Sequence, residues 1–159
     1  MQINPIALKR LLSDRGYIHV PSHGISMAPL IRSGDICRFV PIEKLSDLRV
    51  GDIILFISNS GDLVGHRYIG TTTREGNVLY VCKGDFNRDS DPPIQADQII
   101  GRMISIRGSK IEIHMSSFWM KIWGSMIVNI PVLSILIQYS IRVKRKLRAM
   151  MIHDNEISQ

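Results

Sequence analysis

"HGISMAPLIRSGD", residues 23–35, sets a single serine, Ser26, between a glycine-containing turn and a Met-x-Pro stretch and ends on a Gly-Asp pair. Its flanks decide what it belongs to. Before it runs "YIHV" (17–20) and after it "DICRFV" (35–40), both rich in β-branched and aromatic residues. The same texture returns in "DIILFI" (52–57), "LVGHRYIG" (63–70), "VLYVC" (78–82), "IIGRMISI" (99–106) and "KIEIHM" (110–115). Short β-rich runs separated by turn residues predict a β domain. Gly-Asp occurs at 34–35, 51–52, 61–62 and 84–85. Glycine there can supply a positive φ and aspartate can bond nearby amides, so each pair alone reads as punctuation between strands.

Outward from the β runs, the two ends have a different texture. Asn4 before Pro5 predicts an N-cap with proline at the first helical position; Ile6, Leu8, Leu11 and Leu12 follow, and Gly16 is a natural stop. Lys9, Arg10, Asp14 and Arg15 cut that apolar run short, so neither a signal peptide nor an anchor is expected at this end. Beyond Met115, "SSFWMKIWGSMIVNIPVLSILIQYS" (116–140) places Trp119, Ile122, Trp123, Met126, Ile127 and Ile130 at helical spacing, with Lys121, Ser125 and Asn129 four apart on the other side. An amphipathic helix is expected, kinked or restarted at Pro131. The organisation predicted is a body over 1–115, a hydrophobic or amphipathic helical segment with a basic end over 116–148, and a flexible tail over 149–159.

The 159 residues suffice for one domain that buries about two thirds of its unfolded surface. A hydrophobic content of 45% with 21% charged residues indicates a packed core and excludes disorder and a polytopic membrane protein. Of the net charge of +6, five units come from Arg142, Lys144, Arg145, Lys146 and Arg148, leaving +1 for the rest. The basic character therefore belongs to a short tail that suits an anionic membrane surface, and no nucleic-acid partner is expected. Cys37 and Cys82 match neither a zinc pattern nor a redox pair and read as buried free thiols. The histidines at 19, 23, 66 and 114 have no ligand spacing, so no metal or other cofactor is expected.

Taken alone, Ser26 is a hydrogen-bonding turn residue. A serine nucleophile needs a base within hydrogen-bond reach and a third group to orient that base. His66 in "LVGHRYIG" is one candidate base, although a strand histidine is as readily structural; "VCKGDFNRDSDPPI" (81–94) offers Asp85, Asp89 and Asp91, or simply a polar loop.

In order, "GISMAPLIRSGD", "VGDIILF", "VGHRYIG", "VCKGDFNRDSDP" and "IIGRMISI" resemble the successive boxes of the type I signal peptidase family, over residues 24–106. The resemblance is to the subgroup carrying histidine where the main bacterial enzymes carry a catalytic lysine. It implies a mainly β, folded-sheet domain with a short N-terminal helix and C-terminal amphipathic or hydrophobic helices. It also implies a serine endopeptidase that removes a leader or signal peptide from a precursor bound in extended form. Ser26 would be the nucleophile, with its own backbone amide in the oxyanion hole. His66 would be the general base, with Asp85 the leading acidic partner and Asp91 the second. The chemistry agrees, since an imidazole serves as a base near neutrality whereas a lysine needs burial to do so; Lys83 reads as structural.

Two positions depart from that family's pattern. A hydroxyl that assists the oxyanion there is replaced by Gly24, and loss of one such donor can cost ~10²–10³ in rate. No counterpart of the family's N-terminal membrane anchor is expected, and the expectation instead is a C-terminal segment lying on the membrane or on the β domain, or making one marginal span. An inactive peptide-binding or maturation accessory protein on the same fold is the alternative. The related self-cleaving repressors are disfavoured, because 25 residues before Ser26 are too few for a DNA-binding domain and no lysine stands at the base position.

Overall fold

The computed structural model describes residues 4–108, 111–130, 135, 136, 138–140 and 143. The chain opens with helix α1 (Pro5–Arg15). Asn4 Oδ1 accepts the amides of Ile6 and Ala7 at 3.0 and 3.3 Å, which satisfies donors a helix start leaves open, and Gly16 ends the helix at φ 72°. Strands β1 (Ile18–Pro21), β2 (Ile36–Val40), β3 (Ile53–Ile57), β4 (Leu63–Arg74), β5 (Asn77–Lys83), β6 (Ile99–Arg107) and β7 (Glu112–His114) follow, and then helix α2 (Phe118–Asn129). Among the described residues the strands form one sheet in the order β1-β2-β6-β3-β4-β5, with β7 also on β6, and every pairing is antiparallel. The protein is thus mainly antiparallel β with a short N-terminal helix, as the sequence predicts.

Strand β3 explains how one sheet makes two cores. All five residues of "IILFI" are buried, and a strand's side chains alternate between faces. Ile53, Leu55 and Ile57 join Leu12 of α1, Met27, Ile31, Phe39 and Ile106 on one side. Ile54 and Phe56 join Tyr68, Cys82, Ile94 and Ile99 on the other. Full burial of such side chains contributes about 1.5–3 kcal/mol each, so this strand is the anchor of both layers. Met27, which opens the Met-x-Pro stretch, and Ile31, just beyond it, are 5% and 3% exposed and pin the Ser26 loop to the first core.

The first Gly-Asp pairs behave as punctuation: Asp35 and Asp52 accept the amides of Arg32 and Arg49 at 2.7 and 3.0 Å. Strand β4 runs four residues beyond the expected end at Gly70 and turns into β5 through Glu75 (φ 52°) and Gly76 (φ 78°), the left-handed pair a two-residue hairpin requires. The basic run from Arg142, the expected restart at Pro131 and the tail over 149–159 lie outside the described residues, apart from Val143.

Cys37 and Cys82 are free and buried. Burial, aided by the nearby carboxylates of Asp35 and Asp91 respectively, pushes their thiols up to about 11 and about 12. At about pH 8 roughly one thiol in a thousand or fewer would then be thiolate, the reactive form. Native protein is expected to resist a disulfide reagent at that pH and to release two thiols only on denaturation; rapid native labelling of either cysteine would contradict the burial described.

Candidate active site

Three segments converge beside the second core: the Ser26 loop, the middle of β4, and the loop after β5. His66 lies opposite Ile54 in the β3–β4 ladder, and its ring stands edge-on to Phe56, centroids 6.4 Å apart. It is 7% exposed. The imidazole Nε2 is 2.9 Å from Ser26 Oγ, and Nδ1 is 2.7 Å from Asp91 Oδ2. An ionised carboxylate can only accept a hydrogen bond, so Nδ1–H donates to Asp91 and Nε2 is left to accept the Ser26 hydroxyl proton. The side chain of Asp91 remains 20% accessible, and Ser26 is half-buried. Hydroxyl, imidazole and carboxylate in hydrogen-bonded sequence can raise the nucleophilicity of the oxygen and hold the resulting imidazolium.

Asp91 reaches this position because its loop folds back along β5. The Asp91 amide donates to Cys82 O at 2.8 Å, and Tyr80 and Ile94 exchange hydrogen bonds at 2.8 and 2.9 Å. Asp85, the expected leading partner of the histidine, is elsewhere. It is fully buried, and its two oxygens accept Arg67 Nε at 2.7 Å and Arg67 Nη2 at 2.6 Å. Arg67 follows His66 on β4, and neighbours on a strand project to opposite faces. The carboxylate that neutralises Arg67 is therefore on the wrong side of the strand to orient His66. Arg67 also donates Nη1–H to Gly51 O at 2.6 Å. Asp89 is exposed.

The "KGD" turn nevertheless touches the serine loop through its backbone. The Phe86 amide donates to Ser26 O at 2.8 Å. A Cβ on Gly84 would stand 2.6 Å from that same carbonyl oxygen, closer than real side chains come, so glycine permits this approach. Gly24 sits at φ 82° with open space where a side chain would be; it brings no side-chain donor to the site. Among the described residues no three His, Cys, Asp or Glu side chains converge to hold a metal ion. Two hollows among the described residues, of about 590 and 780 Å³, lie along α1 and β1 and around the 58–61 turn, and neither is lined by Ser26, His66 or Asp91.

Sequence reasoning missed Trp123 and Gln138. The indole Nε1–H donates to Asp85 Oδ2 at 3.1 Å, and Gln138 Nε2–H to Phe86 O at 2.7 Å. The helical spacing had assigned Trp123 only to an apolar face, and nothing marked Gln138.

No known family profile matches the chain. No solved structure matches it either. One curated protein, "Signal peptidase I W" of Bacillus subtilis (strain 168), is 29% identical over 73 residues, which make up 46% of this chain. The stretch spans 38% of that protein's length. This partial similarity, on a mainly antiparallel β fold, supports a relationship of the chain to the signal peptidases.

Proposed function

We propose that the protein is a serine endopeptidase of signal-peptidase type that cleaves a leader or signal peptide from a precursor, and that it belongs with the histidine-bearing subgroup. The observation that carries this reading is the chain Ser26 Oγ, His66 Nε2, His66 Nδ1, Asp91 Oδ2, with contacts of 2.9 and 2.7 Å. Ser26 attacks the scissile carbonyl while His66 takes its proton. The tetrahedral oxyanion is held by backbone N–H groups, that of Ser26 among them, since position 24 offers no side-chain donor. His66 then returns the proton to the leaving amine, and a water repeats the sequence on the acyl-enzyme. Asp91 keeps Nδ1 protonated and steadies the imidazolium. The test is to treat the protein with a serine-directed fluorophosphonate and map the adduct, alongside cleavage of signal-peptide-bearing precursors. A single adduct on Ser26 with precursor cleavage is expected. Neither adduct nor cleavage would leave the accessory peptide binder as the better reading.

The same reading places the protein on an anionic membrane surface. No helix among the described residues is long and apolar enough to cross a membrane. Met126, Ile130, Ile135, Leu136 and Tyr139 are nonetheless 39–68% exposed, directly before the basic run of the sequence. Each basic residue near such a surface contributes about 1 kcal/mol, and the apolar side chains add attachment that salt does not screen. The full chain is expected to sediment with phosphatidylserine-containing vesicles and to be released only partly by high salt. Protein left in the supernatant at low salt would refute the attachment.

A further inference from the structure

Two residues of the C-terminal helical segment, Trp123 and Gln138, reach the Gly84-Asp85-Phe86 turn that lies against the Ser26 loop. On one flank of it, Trp123 of α2 donates to the Asp85 carboxylate, which also accepts Nε–H and Nη2–H of Arg67. Helix α2 comes this close through Gly124: a Cβ there would stand 3.1 Å from Arg67 Nη1 and 3.3 Å from Gly51 O. On the other flank, Gln138 donates to the Phe86 carbonyl. Between these two grips lies the Phe86 amide, the donor to Ser26 O. The Asp85–Phe86 unit is thus held by its carboxylate and its carbonyl, and its remaining N–H holds the serine loop.

We infer that Trp123 and Gln138 are positioning residues for Ser26, so that these two side chains set the nucleophile's place. This inference rests on the reading of Ser26 as nucleophile. A serine displaced by a few tenths of an ångström keeps its substrate contacts but loses alignment with both the imidazole and the scissile carbonyl. The effect belongs in the chemical step.

The test uses the full-length chain with Trp123→Phe, which keeps an aromatic ring and deletes the N–H, Gln138→Leu, and the double variant. Hydrogen exchange at the Phe86 amide reads the grip on Ser26 O, with the β3 amides as an internal control for global stability. Phe86 exchange is expected to quicken about tenfold in the double variant, with the β3 amides unchanged, given that a hydrogen bond to a charged group is the stronger of the two lost. The kcat on a precursor peptide is expected to fall about tenfold while KM stays within about twofold. Unchanged Phe86 exchange in the variants overturns the inference whatever happens to cleavage. Faster Phe86 exchange with unchanged kcat overturns it too. Wild-type protein that neither cleaves a precursor nor takes a label on Ser26 sinks the peptidase reading instead, and the exchange rates still decide whether the C-terminal segment holds the Ser26 loop. Should Trp123→Phe not fold, Gln138→Leu, which alters a side chain only partly buried, carries both readouts.

Discussion

Ser26→Ala and His66→Ala are each expected to reduce precursor cleavage by about 10³-fold or more, and the double variant is expected to be no worse than the more damaged single one. The reason is the 2.9 Å contact between Oγ and Nε2. A serine hydroxyl without a base is a weak nucleophile, and the base without the hydroxyl has nothing to activate, so the second loss removes what the first has already disabled. The residual rate reflects oxyanion stabilisation and binding, which neither substitution touches. Independent losses that multiply in the double variant would refute a shared step, and full activity in either single variant would remove the mechanism altogether.

Much of this architecture was legible because burial and periodicity speak together. "IILFI" reads as a continuous apolar run, the signature of a strand covered on both faces, and β3 is that strand. Asn4-Pro5 and Gly16 bracket α1 because the chemistry of helix ends is local. The extension of β4 through Thr71–Thr73 was hidden, since these residues are exposed and carry no alternation; only the left-handed Glu75-Gly76 turn reveals that the strand continues. The choice between Asp85 and Asp91 was hidden for a different reason. Six residues apart in one loop, they are separated only by how that loop folds back on Cys82 and Tyr80, which is a tertiary matter. One signal was available. Arg67 stands beside His66, a buried arginine demands a carboxylate, and strand alternation assigns that carboxylate to the other face.

That division of labour gives Asp91→Asn and Asp85→Asn opposite signatures. Asp91→Asn is expected to leave the fold intact and lower kcat by about 10²–10⁴. An asparagine amide can donate to Nδ1, which forces the ring proton onto Nε2 and abolishes its capacity to accept from Ser26; the analogous change in the serine-protease triad costs about 10⁴. Asp85→Asn is expected to act on stability. Arg67 and Asp85 have side chains 3% and 0% exposed, and removing one partner of a buried ion pair costs about 3–5 kcal/mol, because the remaining charge keeps its desolvation and loses its counter-ion. The loss reads out as a lower urea midpoint, with the kcat of the molecules still folded reduced less than in Asp91→Asn. Both measurements belong on both variants, since either number alone mixes unfolding with slow chemistry. A stable, nearly inactive Asp85→Asn beside a fully active Asp91→Asn would return the orienting role to Asp85 and would require the loop after β5 to sit differently during turnover. The expected order rests on electrostatics that the two sites do not share: at Asp91 a partly accessible carboxylate holds a tautomer, and at Asp85 a buried one holds a charge.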